Sequence, residues 1–155
     1  MTLLLLFMIN NEKKLETEGF KLIWQFVDDK VSFRLSAPTN GWVALGFTHG
    51  TGIVNSNLIQ GAVIDDEVIV QDQYVTGFGE HPPVEALAVA SCISEIQGIE
   101  AAGITTISFS ILKQARDKLH YNLTEGVEIN IWLAYSVSDD FSHHSMKRIL
   151  RTVKL

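Results

Sequence analysis

FKLIWQFVDDKVSFRLSAPTNGWVALGF, residues Phe20 to Phe47, repeats its apolar side chains at every second position. Phe20, Leu22, Trp24 and Phe26 share one parity, and Val31, Phe33 and Leu35 alternate with Ser32, Arg34 and Ser36. Successive side chains of an extended chain point to opposite faces, so this spacing describes half-buried β-strands. The Pro38-Thr39-Asn40-Gly41 turn signal predicts that Lys30–Ala37 and Trp42–Phe47 pair as a hairpin.

The same period continues outward. NLIQGAVIDDEVIVQDQYV (57–75) reads as a second hairpin turning at Asp65, Asp66 and Glu67. ALAVASCISEI (86–96) and ITTISFSIL (104–112) read as two strands joined through the glycine-bearing QGIEAAG (97–103). VEINIWLAYSV (127–137) is apolar on both parities, which predicts a central strand, and RILRTVKL (148–155) closes the set. Only ILKQARDKLHY (111–121) permits a helix, and it is short. Many short strands punctuated by Gly, Asn and Asp predict an all-β fold, an immunoglobulin-like antiparallel β-sandwich with Trp42 and Trp132 buried on strands.

The chain has 155 residues, enough for a single core. Its net charge of -6 disfavours nucleic-acid phosphate as a partner. The apolar block in MTLLLLFMIN is far too short to span a membrane, and it lacks the basic start and the cleavage site of an export signal. Residues 1–19 are therefore read as a leader or degenerate signal, or as a first strand, and 20–155 as the domain. The one cysteine, Cys92, sits in an apolar run and is expected to be a buried, inert thiol.

No phosphate-binding glycine loop, His-Glu-x-x-His motif or serine nucleophile elbow is present, so the sequence offers no self-sufficient enzyme. The acid pairs Asp28-Asp29, Asp65-Asp66 and Asp139-Asp140 have the character of turn formers. His49, His81 and His120 stand alone in polar segments, where a histidine is most often plain surface. The tandem pair His143-His144 follows a buried strand instead. If the chain stays extended there, one of the two must point inward, where an imidazole can bind a metal or haem iron.

GWVALGF (41–47), GIVNSNLIQGAV (52–63), QDQY (71–74) and WLAYSVSDDFSHHS (132–145) together resemble the DOMON domain family, over roughly Phe20 to Leu155. That family also includes the cytochrome domain of cellobiose dehydrogenase and the DOMON domain of dopamine beta-monooxygenase. Its members are β-sandwiches that bind haem b or sugars, usually outside the cytoplasm and beside redox partners. The resemblance therefore implies an extracytoplasmic or secreted domain, with haem or another small ligand, and a redox partner protein. It puts the iron-ligating histidine at His144, with His143 flanking the pocket, and the ligating methionine at Ile53, which cannot bind iron. Three readings follow. Haem b sits on His144 with the sixth position empty, filled by water or taken by His49; or a haem-free groove binds a carbohydrate through Asn55, Asn57 and Gln60; or the domain binds a protein partner.

Overall fold

The computed structural model describes residues 11–155. Ten strands build two five-stranded antiparallel sheets. They are β1 (Lys13–Thr17), β2 (Phe20–Val27), β3 (Lys30–Ala37), β4 (Val43–Thr48), β5 (Asn57–Ile64), β6 (Glu67–Tyr74), β7 (Ile93–Ala101), β8 (Ile104–Leu112), β9 (Glu128–Tyr135) and β10 (Lys147–Lys154). One sheet has the order β1-β2-β3-β8-β7 and the other β10-β9-β4-β5-β6. The predicted all-β sandwich is what the chain forms, and its only helical turn among the described residues is a 3-10 turn at Val84–Leu87. The leader expected over 1–19 lies outside the described residues as far as residue 10; Lys13–Thr17 pairs with β2 as an edge strand.

The alternation read from the sequence builds the core. Phe20, Leu22, Trp24, Val31, Phe33 and Leu35 from one sheet meet Val43, Leu45, Phe47, Ile129, Ile131 and Leu133 from the other, all at most 5% exposed. Burying each such side chain stabilises the fold by roughly 1.5–3 kcal/mol. The turns follow the predicted chemistry as well. Asp65 and Asp66 hold φ of 50° and 62°, the doubly left-handed turn that suits a two-residue hairpin.

Four local expectations are corrected. β3 and β4 are not a hairpin: β3 pairs with β2 and β8, β4 with β5 and β9, and residues 38–42 carry the chain from one sheet to the other. The strand expected at 86–96 begins only at Ile93, because Val84–Leu87 coils into the 3-10 turn. QGIEAAG is mostly strand, with Ala102-Gly103 as the real turn, and β7 carries a bulge between Ser94 and Gln97. Finally, ILKQARDKLHY forms no helix beyond its β8 residues, since Asp117 turns the chain by accepting the backbone N–H groups of Leu119 and His120.

The central sheet has two apolar faces. Val43, Leu45 and Phe47 point between the sheets, while Trp42, Ala44, Leu58, Ala62 and Ala134 form a second buried cluster on the opposite face, joined by Val75 and packed by Ile53, Val54, Ile64 and Phe141. This explains why β9 reads apolar on both parities. Trp42 is buried as predicted, but Trp132 is only half-buried, because it projects from this second face.

Candidate functional site

The second apolar face opens into a cavity of about 400 Å³, within the usual range for a small-molecule pocket. Its floor is Trp42, Ala44, Leu58, Gln60, Trp132 and Ala134, all projecting from β4, β5 and β9 or the residue before β4. Its walls are loop residues: Ile53 from the β4–β5 connection, Val75, Phe78 and His81 after β6, and Ser142, His143, His144 and Ser145 between β9 and β10. Arg148 closes one side, its guanidinium 5.5 Å from the centre of the Trp132 ring. That cation forms no ion pair among the described residues.

Two buried polar atoms of the floor have no protein partner, Nε1 of Trp42 and Oε1 of Gln60. Both are shielded by the side chains around them, so they are unpaired groups within the floor rather than groups presented to the cavity.

The histidine loop is fixed by its own polar side chains. Ser138 Oγ accepts from the Asp140 N–H, and Asp140 Oδ1 accepts from the N–H and the hydroxyl of Ser142. Those bonds hold the Asp140 carboxyl below its usual range. The Ser136 hydroxyl lies 3.0 Å from the His144 carbonyl and donates to it. With its proton committed there, Ser136 Oγ is an acceptor for His143 Nδ1 at 3.2 Å, as is the His144 carbonyl at 3.1 Å. The chain bends at His143 rather than remaining extended, and both histidines line the cavity, His143 with its Nδ1 turned back onto the loop. Their roles differ: His143 anchors the loop through Nδ1, whereas the His144 ring makes no hydrogen bond among the described residues.

Of the other residues singled out from the sequence, Ile53 and Gln60 line the cavity and His49 does not. The His49 ring is exposed and packs edge-on against Tyr121 at 5.1 Å. Asn57 points the other way, into the sandwich, where its amide donates to Asp72 Oδ1 at 2.7 Å and to the Gln73 carbonyl at 3.0 Å. Asn55 is exposed and its carbonyl accepts from the Tyr121 hydroxyl.

Asn57 belongs to a buried polar cluster that the sequence reading missed. His120 Nε2 lies 2.8 Å from Asp72 Oδ2 and its Nδ1 lies 2.9 Å from Asp117. Burial alone would lower the His120 pKa, but the carboxylates of Asp72 and Asp117 outweigh it and raise it above the ordinary value. Burial also acts on Asp117, where hydrogen bonds from His120 and Leu119 prevail and lower it. Cys92 adjoins this cluster, and burial, with the negative charge of Asp72, pushes its thiol up to about 11. The cysteine is free and buried, as expected.

His81 was also missed. It lines the cavity, and its Nδ1 is 2.9 Å from Oε1 of Gln73, whose own amide donates to Gln71. Burial lowers the His81 pKa, favouring a neutral ring.

Comparisons with known proteins agree with this architecture. The chain resembles MOXD1 homolog 2 of Drosophila melanogaster, at 28% identity over 67 residues, which cover 43% of this chain but only 9% of that protein. Among solved structures, the cytochrome b domain of pyranose dehydrogenase from Coprinopsis cinerea superposes with a TM-score of 0.66 at 10% identity, covering 91% of this chain and 80% of that one. The cytochrome domain of cellobiose dehydrogenase from Myriococcum thermophilum gives 0.67 at 13% identity, covering 93% and 81%. At these identities the superpositions establish the shared fold. The model of the DOMON domain matches residues 16–136, most of the chain, and with the sandwich just described it shows that this protein belongs to the DOMON domain family.

Proposed function

We propose that the domain is a non-covalent haem b module of electron-transfer type, an accessory redox domain that works beside a partner protein, with His144 as its iron ligand. The observation that carries this reading is the cavity on the outer face of β4, β5 and β9, which combines an apolar floor with an unengaged imidazole and a free guanidinium. Those groups suit haem b, a flat apolar macrocycle bearing one metal and two carboxylates. His144 offers the metal a ring nitrogen that has no hydrogen-bond partner among the described residues. The exposed guanidinium of Arg148 offers donors for carboxylates. His143, anchored through Nδ1, holds the loop that carries His144. When bound, haem b would supply a one-electron couple, which this chain's own side chains do not. The names of its structural relatives, cytochrome domains of two sugar dehydrogenases, support the same assignment.

The test is titration of the apo-protein with haem, followed by absorption spectroscopy. Wild type is expected to develop a sharp Soret band. His144→Ala should lose most of its haem affinity, and His143→Ala should lose less. Equal affinity in wild type and His144→Ala would sink the ligand assignment. A second reading has its own observation: Phe78, 89% exposed, offers an aromatic face at the cavity beside Trp132, and such faces stack on sugar rings. A wild-type protein that stays colourless with haem yet binds oligosaccharides with quenching of Trp132 fluorescence would establish that reading instead.

A further inference from the structure

We propose that His81 is the second axial ligand of the haem-binding cavity, supplying the donor that Ile53 cannot; this rests on the haem reading above and specifies the other side of the iron. His81 and His144 line one cavity and come to it on segments from opposite edges of the sheet. In the order β10-β9-β4-β5-β6, His144 comes from the β9–β10 connection at one edge, and His81 from the segment after β6 at the other. They also come from opposite ends of the strands. Tyr135, where β9 leaves the sheet, pairs with Val43 at the start of β4, whereas Tyr74, where β6 leaves it, pairs with Asn57, itself opposite Phe47 near the end of β4. Two imidazoles thus come to one cavity from diagonally opposite corners of the sheet, a placement open to ligands on either side of a bound macrocycle.

The hydrogen bonds around His81 also select the nitrogen it offers. The Gln73 amide donates to Gln71 Oε1 at 2.9 Å, which turns Gln73 Oε1 toward His81 Nδ1 as an acceptor. Nδ1 therefore carries the ring proton. Nε2 is left with its lone pair and no partner among the described residues, the arrangement in which a second nitrogen, bound to a neighbour, orients a metal-ligating histidine. His49, the sequence's own candidate for this position, is excluded by its place outside the cavity.

The experiment is spectroscopy of ferric protein reconstituted with haem b. Wild type should be six-coordinate and low-spin by absorption and electron paramagnetic resonance. His81→Ala should keep its haem through His144 but become high-spin, and free imidazole should restore the low-spin spectrum. His81→Met should remain low-spin with a raised reduction potential, because thioether ligation favours the ferrous state; far-UV circular dichroism checks that both variants are folded. The inference is overturned, with the haem reading intact, if wild type binds haem but is high-spin. It is overturned in the same way if His81→Ala keeps the wild-type spectrum, or if His49→Ala is the variant that changes spin state. If wild type takes up no haem, the haem reading itself fails and this inference falls with it.

Discussion

Replacing Gly41 by alanine tests how the cavity is tied to the sandwich. A Cβ at this position would stand 2.3 Å from the Ser136 carbonyl oxygen and 2.7 Å from both the nitrogen and the oxygen of Ser138. All three are backbone atoms, so no side chain can swing aside. Relief requires the two segments to separate, and the bonds joining them include Trp42 N–H to Ser138 O and Ser136 N–H to Trp42 O, each at 3.0 Å, beside the Thr39 hydroxyl donating to Ser136 O. Losing two such bonds costs about 2 kcal/mol, and forcing extra bulk into a packed site adds roughly 1–3 kcal/mol. The expected destabilisation is therefore about 3–5 kcal/mol. Gly52→Ala, where a Cβ would meet nothing within 4 Å, serves as the reference. Urea unfolding followed by tryptophan fluorescence measures both. Because Ser136 also holds the His144 carbonyl, haem affinity should fall in Gly41→Ala even under conditions where it is fully folded. If Gly41→Ala unfolds within about 0.5 kcal/mol of Gly52→Ala, an ordinary surface effect, the close approach does not constrain the loop and the reasoning is refuted.

The remaining predictions concern charge, redox chemistry and ligation. His120 has a folded-state pKa above 6.5, so its stabilising pairing with Asp72 and Asp117 is complete below that pH and lost as pH rises through the folded value; the urea midpoint should decline over that alkaline limb. His120→Asn should flatten that limb and cost about 3 kcal/mol near pH 6, since it leaves the fully buried Asp72 carboxylate without its cation; an unchanged pH profile would count against the pairing. Cys92, with its thiol at about 11, should resist alkylation at pH 8 until denaturant is added, and rapid labelling of native protein would contradict its placement. In the haem-loaded His81→Ala background, Ile53→Met should restore a low-spin spectrum, now through sulfur and at a higher potential, because Ile53 lines the same cavity; a spectrum that stays high-spin would show that residue 53 does not overlie the iron.

The strands were legible because period-two patterning is local. Phe20, Leu22 and Trp24 are buried on the parity their sequence announces. Sheet membership was not: Pro38–Gly41 has the composition of a hairpin turn, and only the partners of β3 and β4, far away in sequence, decide that it bridges two sheets. The double apolar parity of β9 was a legible sign of the cavity, since its second face is the cavity floor. Asn57 could have been placed by parity, because it shares the inward face with Ile59 while Leu58 and Gln60 face out. His81 could not. It lies in an aperiodic loop, and its place in the cavity wall depends on the order of strands across the sheet.

That order also bears on how the molecule comes into being. The cavity floor requires β4 to lie beside β9, yet Val43 and its partner Tyr135 are separated by more than half the chain. Closing so large a loop is entropically costly, and folds dominated by such distant pairings mature over milliseconds to seconds. During synthesis, Trp42 leaves the ribosome long before Trp132, so a nascent chain has no floor on which a ligand could rest. Whatever ligand this floor receives can therefore meet it only after β9 has emerged and closed against β4.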